Sequence, residues 1–329
     1  MTNGNFSRVY PPKDRQLLDG GLNDKFEKSI IEGNESPDCL NVQFSNGKVA
    51  TRGGTSKLNT TSVGSFVCDG LYTRHTNTNA ETMTAWFNGT HYTLAATTFS
   101  TTPSGQSVFT AGIRVASAQY ENHIFYGNGG TIPYKYNGTD FTRHGIYAPP
   151  TTSTVASQAT GSLTGPYSYK VTFVNSASVE SDVGPVSNTF TAASATLRLT
   201  SIPVGAQSWG VATRRIYRTE TAGSTYLRLT TISDNTTTTY DDNNLDATLG
   251  VAAPTDNGVP PLYNACVYHA NRLFMNDPAN PGFVWYSELA NPYTVASTNF
   301  LRIGDNTSDI VKGLGVYEAH VYVYCENSV

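Results

Sequence analysis

A repeat of about 49 residues constrains this chain more than any single motif in it. The stretch Val316-Tyr-Glu-Ala-His-Val-Tyr-Val-Tyr-Cys325 has a counterpart in Val267-Tyr-His-Ala-Asn-Arg-Leu-Phe-Met275, with Tyr268 lying 49 residues before Tyr317. A third copy, Gln119-Tyr-Glu-Asn-His-Ile-Phe-Tyr126, places Tyr120 148 residues before Tyr268, which is one period plus roughly 100 residues of inserted chain. In each copy a Tyr opens a tight polar corner and an alternating apolar strand follows. Leu71-Tyr72 after Gly70 matches Val316-Tyr317 after Gly315, about one period ahead of Tyr120. A second marker, aromatic-Asn-Gly-Thr-x-aromatic, occurs in Trp86-Phe-Asn-Gly-Thr-His-Tyr92 and Lys135-Tyr-Asn-Gly-Thr-Asp-Phe141. Asn88 and Asn137 are again 49 residues apart. The two markers are expected to repeat in phase.

Each period has room for roughly four short strands, the content of one β-propeller blade. An Asn-Gly pair between apolar positions is a strong hairpin signal, and it recurs in Phe44-Ser-Asn-Gly-Lys-Val49. Thr, Asn, Ser, Gly and Tyr are abundant, while helical stripes of Leu, Ala, Glu and Lys are missing, so the composition is all-β. A sandwich or a parallel β-helix also spaces strands evenly. The β-helix fits less well, because its coils are shorter and need no type I′ hairpins.

Four segments are expected. Residues 1–18 are polar, carry Pro11-Pro12 and read as an arm. Residues 19–149 hold the first part of the array, with a short helical turn at Ser36-Pro37. Residues 150–255 form an insert that begins as a Thr/Ser/Ala linker after Pro149-Pro150. In it, Tyr167, Tyr169, Val171 and Phe173 alternate onto one face. Further strands at 185–191, 196–202, 214–219, 226–232 and 236–241 point to an immunoglobulin-like sandwich. A Pro-rich run over 251–261 leads back to the array at 256–329.

Charge and cysteine usage narrow the function classes. The net charge of −4 leaves no basic footprint for nucleic-acid binding, though it suits a wall past which DNA slides. No apolar run approaches the ~18 residues a bilayer span needs, and the N-terminus has no signal-peptide core. Cys39, Cys68, Cys266 and Cys325 are scattered and show no CxxC, so they read as free, mostly buried thiols in a reducing cytoplasm.

Catalytic chemistry is not written into the motifs. His75, His91, His123, His144, His269 and His320 form neither HxH nor HExxH. His123 and His320 hold equivalent corner positions, where a structural hydrogen bond is the expected role. No GxSxG elbow, P-loop or GxGxxG is present, and Gly127-Asn-Gly-Gly130 reads as a turn between strands. Asp241, Asp242, Asp246 and Asp256 cluster in sequence; they read as a solvated turn, with a bound calcium ion as the alternative, although the spacing is not that of an EF-hand. The aromatics Trp86, His91, Tyr92, Tyr134, Tyr136 and Phe141 read as cross-strand pairs, with stacking on sugar rings as the alternative. Turn chemistry explains the Asn-Gly-Thr triplets without glycosylation. The reading therefore names no catalytic, cofactor or metal residue.

The blocks Asp19-Gly-Gly-Leu-Asn23, Glu35-Ser-Pro-Asp-Cys-Leu-Asn-Val-Gln-Phe-Ser-Asn-Gly47 and Arg52-Gly-Gly54 resemble the start of propeller proteins from the tail nozzle, or tail tubular component, of short-tailed phages. The insert of that family resembles a fibronectin type III module, and Tyr167–Val174, Arg214-Arg-Ile-Tyr-Arg-Thr219 and Thr238-Thr-Tyr-Asp-Asp242 are similar to that pattern. Val267–Phe274, Val284-Trp-Tyr-Ser-Glu-Leu-Ala-Asn-Pro292 and Asp309–Tyr317 complete the resemblance, which covers most of 19–329. It implies a structural virion protein that rings the tail axis with sixfold symmetry, walls the channel for genome ejection, and meets a tail adaptor on one side and fibres or a tip on the other. It also implies a location in the virion tail after assembly in the host bacterial cytoplasm, with no cofactor. Family members run beyond Val329, so the propeller is expected to be incomplete, with roughly four to five blades and a longer product. A host-surface or glycan-binding module is the alternative, and a propeller hydrolase a third reading.

Overall fold

The computed structural model describes residues 62–101, 107–303 and 309–328, together with the backbone of four short strands nearer the N-terminus. The chain separates into two compact units, Met1–Leu58 and Asn59–Val329. In the first, β1 (Gly21–Leu22) pairs in parallel with β2 (Glu35–Ser36). Strand β3 (Val42–Ser45) pairs antiparallel with β4 (Lys48–Thr51), Ser45 opposite Lys48. The expected arm at 1–18, the expected helix start at Pro37, the Asn46-Gly47 turn and Cys39 lie outside the described residues.

The second unit is built from strands. Its only helical pieces among the described residues are two single-turn 3-10 segments, Gln207–Trp209 and Asp246–Thr248. Strands β5 (Cys68–His75), β6 (Glu81–Phe87), β7 (Thr90–Ala95) and β8 (Thr98–Thr101) form one antiparallel meander in chain order. A second meander contains β9 (Ala116–Tyr120), β10 (His123–Gly127), β11 (Tyr134–Tyr136) and β12 (Phe141–Arg143).

Six strands follow: β13 (Thr154–Tyr167), β14 (Tyr169–Asn175), β15 (Phe190–Thr200), β16 (Val211–Thr219), β17 (Tyr226–Ile232) and β18 (Tyr240–Asp242). They form two three-stranded sheets, β13-β15-β18 and β14-β16-β17. A third meander comprises β19 (Cys266–His269), β20 (Arg272–Asn276), β21 (Phe283–Tyr286) and β22 (Phe300–Arg302). Strands β23 (Val311–Tyr317) and β24 (His320–Cys325) then pair with each other. The described structure is all-β, and none of its sheets closes on itself.

Strand alternation places three cores. Successive residues of a strand face opposite sides, so Ile124 and Tyr126 of β10 face one way and Phe125 the other. Ile124 and Tyr126 join Trp86, Phe109, Val115, Tyr136 and Phe141. Phe125 joins Tyr263, Leu273, Met275, Tyr293 and Val295. The second meander is thus the layer shared between the first and the third. The opening strands lie beside one another in the order β5, β9, β19, β23. The third core fills the space between the two three-stranded sheets, with Tyr169, Val171 and Ile216 from one and Leu163, Leu197 and Leu199 from the other.

The structure corrects four expectations about the strands. The Thr/Ser/Ala stretch after Pro150 is no linker: from Thr154 it forms the 14-residue strand β13, paired along β15. Val155, Leu163 and Tyr167 suffice to anchor it in the core, and β-branched Thr suits the pleated surface between them. The 185–191 segment becomes a strand only from Phe190. Ahead of it the chain runs irregularly along β14, with Ser181, Gly184 and Ser187 N–H groups donating to the Phe173, Val171 and Tyr169 carbonyls. Pro185 has no N–H to extend such a ladder. The alternating run from Tyr167 to Phe173 is buried as expected, but it breaks at Ser168, so Tyr167 belongs to one sheet and Tyr169 onward to the other.

The fourth correction concerns the repeat. The Tyr-corner marker closes the first hairpin in two of its four copies, where Tyr120 faces His123 and Tyr317 faces His320. In the third meander His269 takes that place and Tyr268 faces Leu273, and in the first Tyr72 faces Thr84 within the strand. Tyr120 and Tyr268 even pack edge to face with ring centroids 5.2 Å apart. The Asn-Gly marker is out of phase. Asn88-Gly89 joins the second and third strands of its meander, whereas Asn137-Gly138 joins the third and fourth of the next.

Candidate functional site

Most of the hairpin aromatics pack inward, while Tyr92 and Tyr134 stay half-buried. Trp86, Tyr136 and Phe141 are buried with His91 among them, and His91 stacks on Phe141 at 5.0 Å. Their faces are taken up by neighbouring rings, which leaves no platform there for a sugar. Burial pulls His91 down to about 3, so it is neutral at pH 7. The Tyr126 hydroxyl donates to Thr84 at 2.8 Å and accepts from His91 Nε2 at 3.2 Å.

The other histidines are dispersed. His144 is fully buried; its Nε2 donates to the Pro292 carbonyl at 2.7 Å, which leaves Nδ1 to accept from the Tyr263 hydroxyl at 3.0 Å. Burial brings it to about 3 as well. His75 faces Glu81 at 3.2 Å on the exposed closing pair of β5 and β6. His123 and His320 do share the corner position, but His123 is half-buried and His320 exposed. No group of three His, Cys, Asp or Glu side chains suited to a metal occurs among the described residues.

The thiols do not meet the expectation of burial. Cys68 is exposed, Cys266 and Cys325 are half-buried, and all three are free. Burial pushes the Cys266 thiol well above its ordinary range. Cys68 shows at the start of β5 because the ladder with β6 shifts register between Cys68 and Gly70.

The aspartate cluster contradicts the solvated-turn reading most clearly. Asp242 is fully buried, as is the Arg218 guanidinium that donates to it at 2.6 Å. Arg218 also reaches Asp246 at 2.7 Å and the Asn244 carbonyl at 2.8 Å, and it lies over the Tyr167 ring. Tyr169 donates its hydroxyl to Asp242 at 2.8 Å. Burial opposes the Arg218 charge, but the carboxylates outweigh it and hold the guanidinium raised. Asp241 pairs with Arg198 at the surface, and Asp256 accepts from Ser297. The four carboxylates therefore go to three different places, and the Arg218 network ties β16 to the 242–246 loop. Arg218 was legible only as part of a strand motif; nothing in the spacing pairs it with residues 24 and 28 positions later.

One cleft combines access with unsatisfied polar groups. It has a volume of about 210 Å³ and lies where the second meander meets the turns of the following two-sheet region. His123, Lys135, Asn137, Asp140 and Thr142 line one side, and Ser176, Gln207 and Gly210 to Ala212 the other. Lys135 is only 9% exposed. Its ammonium sits 4.2 Å from the centroid of Tyr293, and no carboxylate pairs with it among the described residues. Burial pulls it down to about 8, with Asp140 opposing. His123 Nδ1 is buried without a hydrogen-bond partner among the described residues. Burial and then the Lys135 and Arg74 charges lower His123 to about 4. The sequence carried no signal for this cleft, because its walls come from segments up to 89 residues apart.

A further surface is apolar and open. Val316, Tyr317, Tyr322 and Tyr324 of the β23–β24 hairpin are all exposed. No helix among the described residues is long and apolar enough to cross a membrane. No known protein family matches the chain, and no curated protein matches it.

Proposed function

We propose that this chain is a structural protein of a bacteriophage tail: a β-propeller that carries a fibronectin type III-like insert and helps wall the nozzle through which the genome leaves. Residues 19–149 and 256–329 supply the blades and residues 150–255 the insert. The observation that carries the reading is the side-by-side order of β5, β9, β19 and β23, each the opening strand of its own sheet. In a propeller, blades are arranged with their first strands around a common axis. The shared core between the two three-stranded sheets supports the sandwich reading of the insert. The resemblance of the sequence blocks supplies the rest: a sixfold ring of identical chains, a tail adaptor and fibre or tip proteins as neighbours, transient and non-specific contact with DNA, and a place in the virion after assembly in the host cytoplasm.

The role is mechanical, with no enzymatic step. Electron microscopy of the purified full-length protein mixed with its tail neighbours is expected to give rings with an axial channel. Persistence as monomers under those conditions would sink the reading. The glycan-binding alternative draws on the exposed Tyr317, Tyr322 and Tyr324 rather than on the buried hairpin aromatics. A glycan array decides it: micromolar binding that is lost when these tyrosines become serine would favour the alternative.

A further inference from the structure

We propose that the cleft between Lys135 and Gln207 is a binding site for a carboxylate, with the Lys135 ammonium as its charged partner. This goes beyond the scaffold reading and does not depend on it.

Lys135 is buried without a charged partner among the described residues. Lysine is seldom buried unless paired, and a buried charge without a partner is costly. Lys135 has its stem in β11, its ammonium against Tyr293, and neither an ion pair nor a hydrogen bond among the described residues. A cation over a ring face is stabilised, but far less than by a desolvated anion. Beside it, His123 leaves Nδ1 unsatisfied in the same wall. Thr142 and Ser176 bring hydroxyls and Gln207 an amide to the cleft. These groups form hydrogen bonds without adding charge, which suits a ligand whose second oxygen needs a donor.

Charge decides the class of anion. The groups facing Lys135 are Asp140, His123, His144 and Tyr293, and Arg74 stands near His123. Both histidines are neutral at pH 7, so the ionised neighbours are Lys135, Arg74 and Asp140, one positive charge in excess. That balance accepts one negative charge; a dianion would meet Asp140 with no cation left to offset it. A cleft of about 210 Å³ holds a short carboxylic acid or the last residue of a chain. Lys135 binds it, and the exposed Gln207 faces it from the opposite wall.

The test is acylation of Lys135 by a neutral amine reagent across pH, followed by peptide mass mapping, in chloride and in acetate at equal ionic strength. In chloride the Lys135 rate should follow a midpoint near 8. Saturating acetate should move that midpoint up by about one pH unit or more and slow labelling at pH 7.5 roughly tenfold, because a close anion favours the charged amine. Acetyl-diglycine separates the two sources of carboxylate: tighter protection than acetate assigns a chain terminus, and equal or weaker protection a free acid. Gln207→Ala, on an exposed turn, should weaken acetate binding while leaving Lys135 reactive. In an isotope-labelled acetate titration, Lys135→Met should weaken binding roughly tenfold to a hundredfold. Identical Lys135 labelling in acetate and chloride overturns the proposal. Stronger protection by phosphate than by acetate at pH 8 overturns the carboxylate assignment.

Discussion

Two loops in this molecule share the tetrapeptide pattern Asn-Gly-Thr-x and adopt different structures. At Asn88-Gly89 the loop has two residues, Phe87 faces Thr90, and both loop residues have positive φ, 52° and 72°. That is the type I′ geometry expected of Asn-Gly between strands. At Asn137-Gly138 the loop has four residues, Tyr136 faces Phe141, and only Gly138 has positive φ. There Asn137 Oδ1 turns back to accept from the Thr139 and Asp140 N–H groups at 2.9 and 2.6 Å.

Tertiary surroundings account for the difference. Gly89 N–H donates to Asp69 at 2.9 Å, and the Gly89 carbonyl accepts from Val108 and Phe109 at 3.2 Å. A Cβ on Gly89 would lie 2.0 Å from the Phe109 carbonyl oxygen. Around Gly138 the near neighbour is the Arg74 guanidinium, which donates to the Asn137 carbonyl. The fourth residue of the pattern diverges accordingly: His91 turns into the aromatic core, and Asp140 stays at the surface. A turn motif thus sets which loops are available, and the neighbouring sheet selects among them.

Substitution at the two glycines should break this pair unequally. Gly89→Ala is expected to destabilise the protein by roughly 2–4 kcal/mol, since a left-handed φ adds to an overlap with backbone that cannot move alone. Urea unfolding would measure it, and a loss below that of Gly138→Ala would remove the proposed role of Phe109.

The next largest effect is on pH. His91 is held near 3 in the fold and returns to its ordinary value near 6.5 when unfolded. The unfolded chain therefore binds more protons between those values, so the stability contribution is full above about 6.5 and falls as pH drops, by about 1.4 kcal/mol per pH unit. His144, with the same lowering, adds a similar slope. Stability curves at pH 7 and 5 should converge partly in His91→Gln. An unchanged slope in His91→Gln would contradict a buried neutral imidazole.

Gly138→Ala should cost about 1–2 kcal/mol, because the strained φ of 104° remains but the far end of Arg74 can shift. Asn137→Ala should cost least, about 1 kcal/mol, through loss of its side-chain turn bonds. Thermal melts of the two variants would rank them, and the reverse order would place the loop's stability in Asn137 rather than in Gly138.

Legibility varied with the range of the interactions. The corners at Tyr120 and Tyr317 were readable because a two-residue corner and its flanking strands are contiguous, whereas Tyr268 and Tyr72 fall short of theirs. The β13 strand was missed because only three of its residues are anchored deep in the core while the rest look like a linker. Asp242 and Asp246 read as solvated because neighbours in sequence, Asn243 and Asn244, suggest a loop; the buried Arg218 comes from another strand. The Lys135 cleft left no trace, since an unpaired ammonium in a strand looks like any surface lysine until its surroundings are built.

By itself the sequence determined the strand-rich class and the hairpin corners at Tyr120 and Tyr317. Those follow from alternation, turn residues and spacing, which are properties of neighbouring residues. Tertiary structure decided the phase of the Asn-Gly loops, the burial of Asp242 with Arg218, and the isolation of Lys135. Each depends on which distant group desolvates a side chain or supplies its partner, and that free energy is set only when the sheets pack.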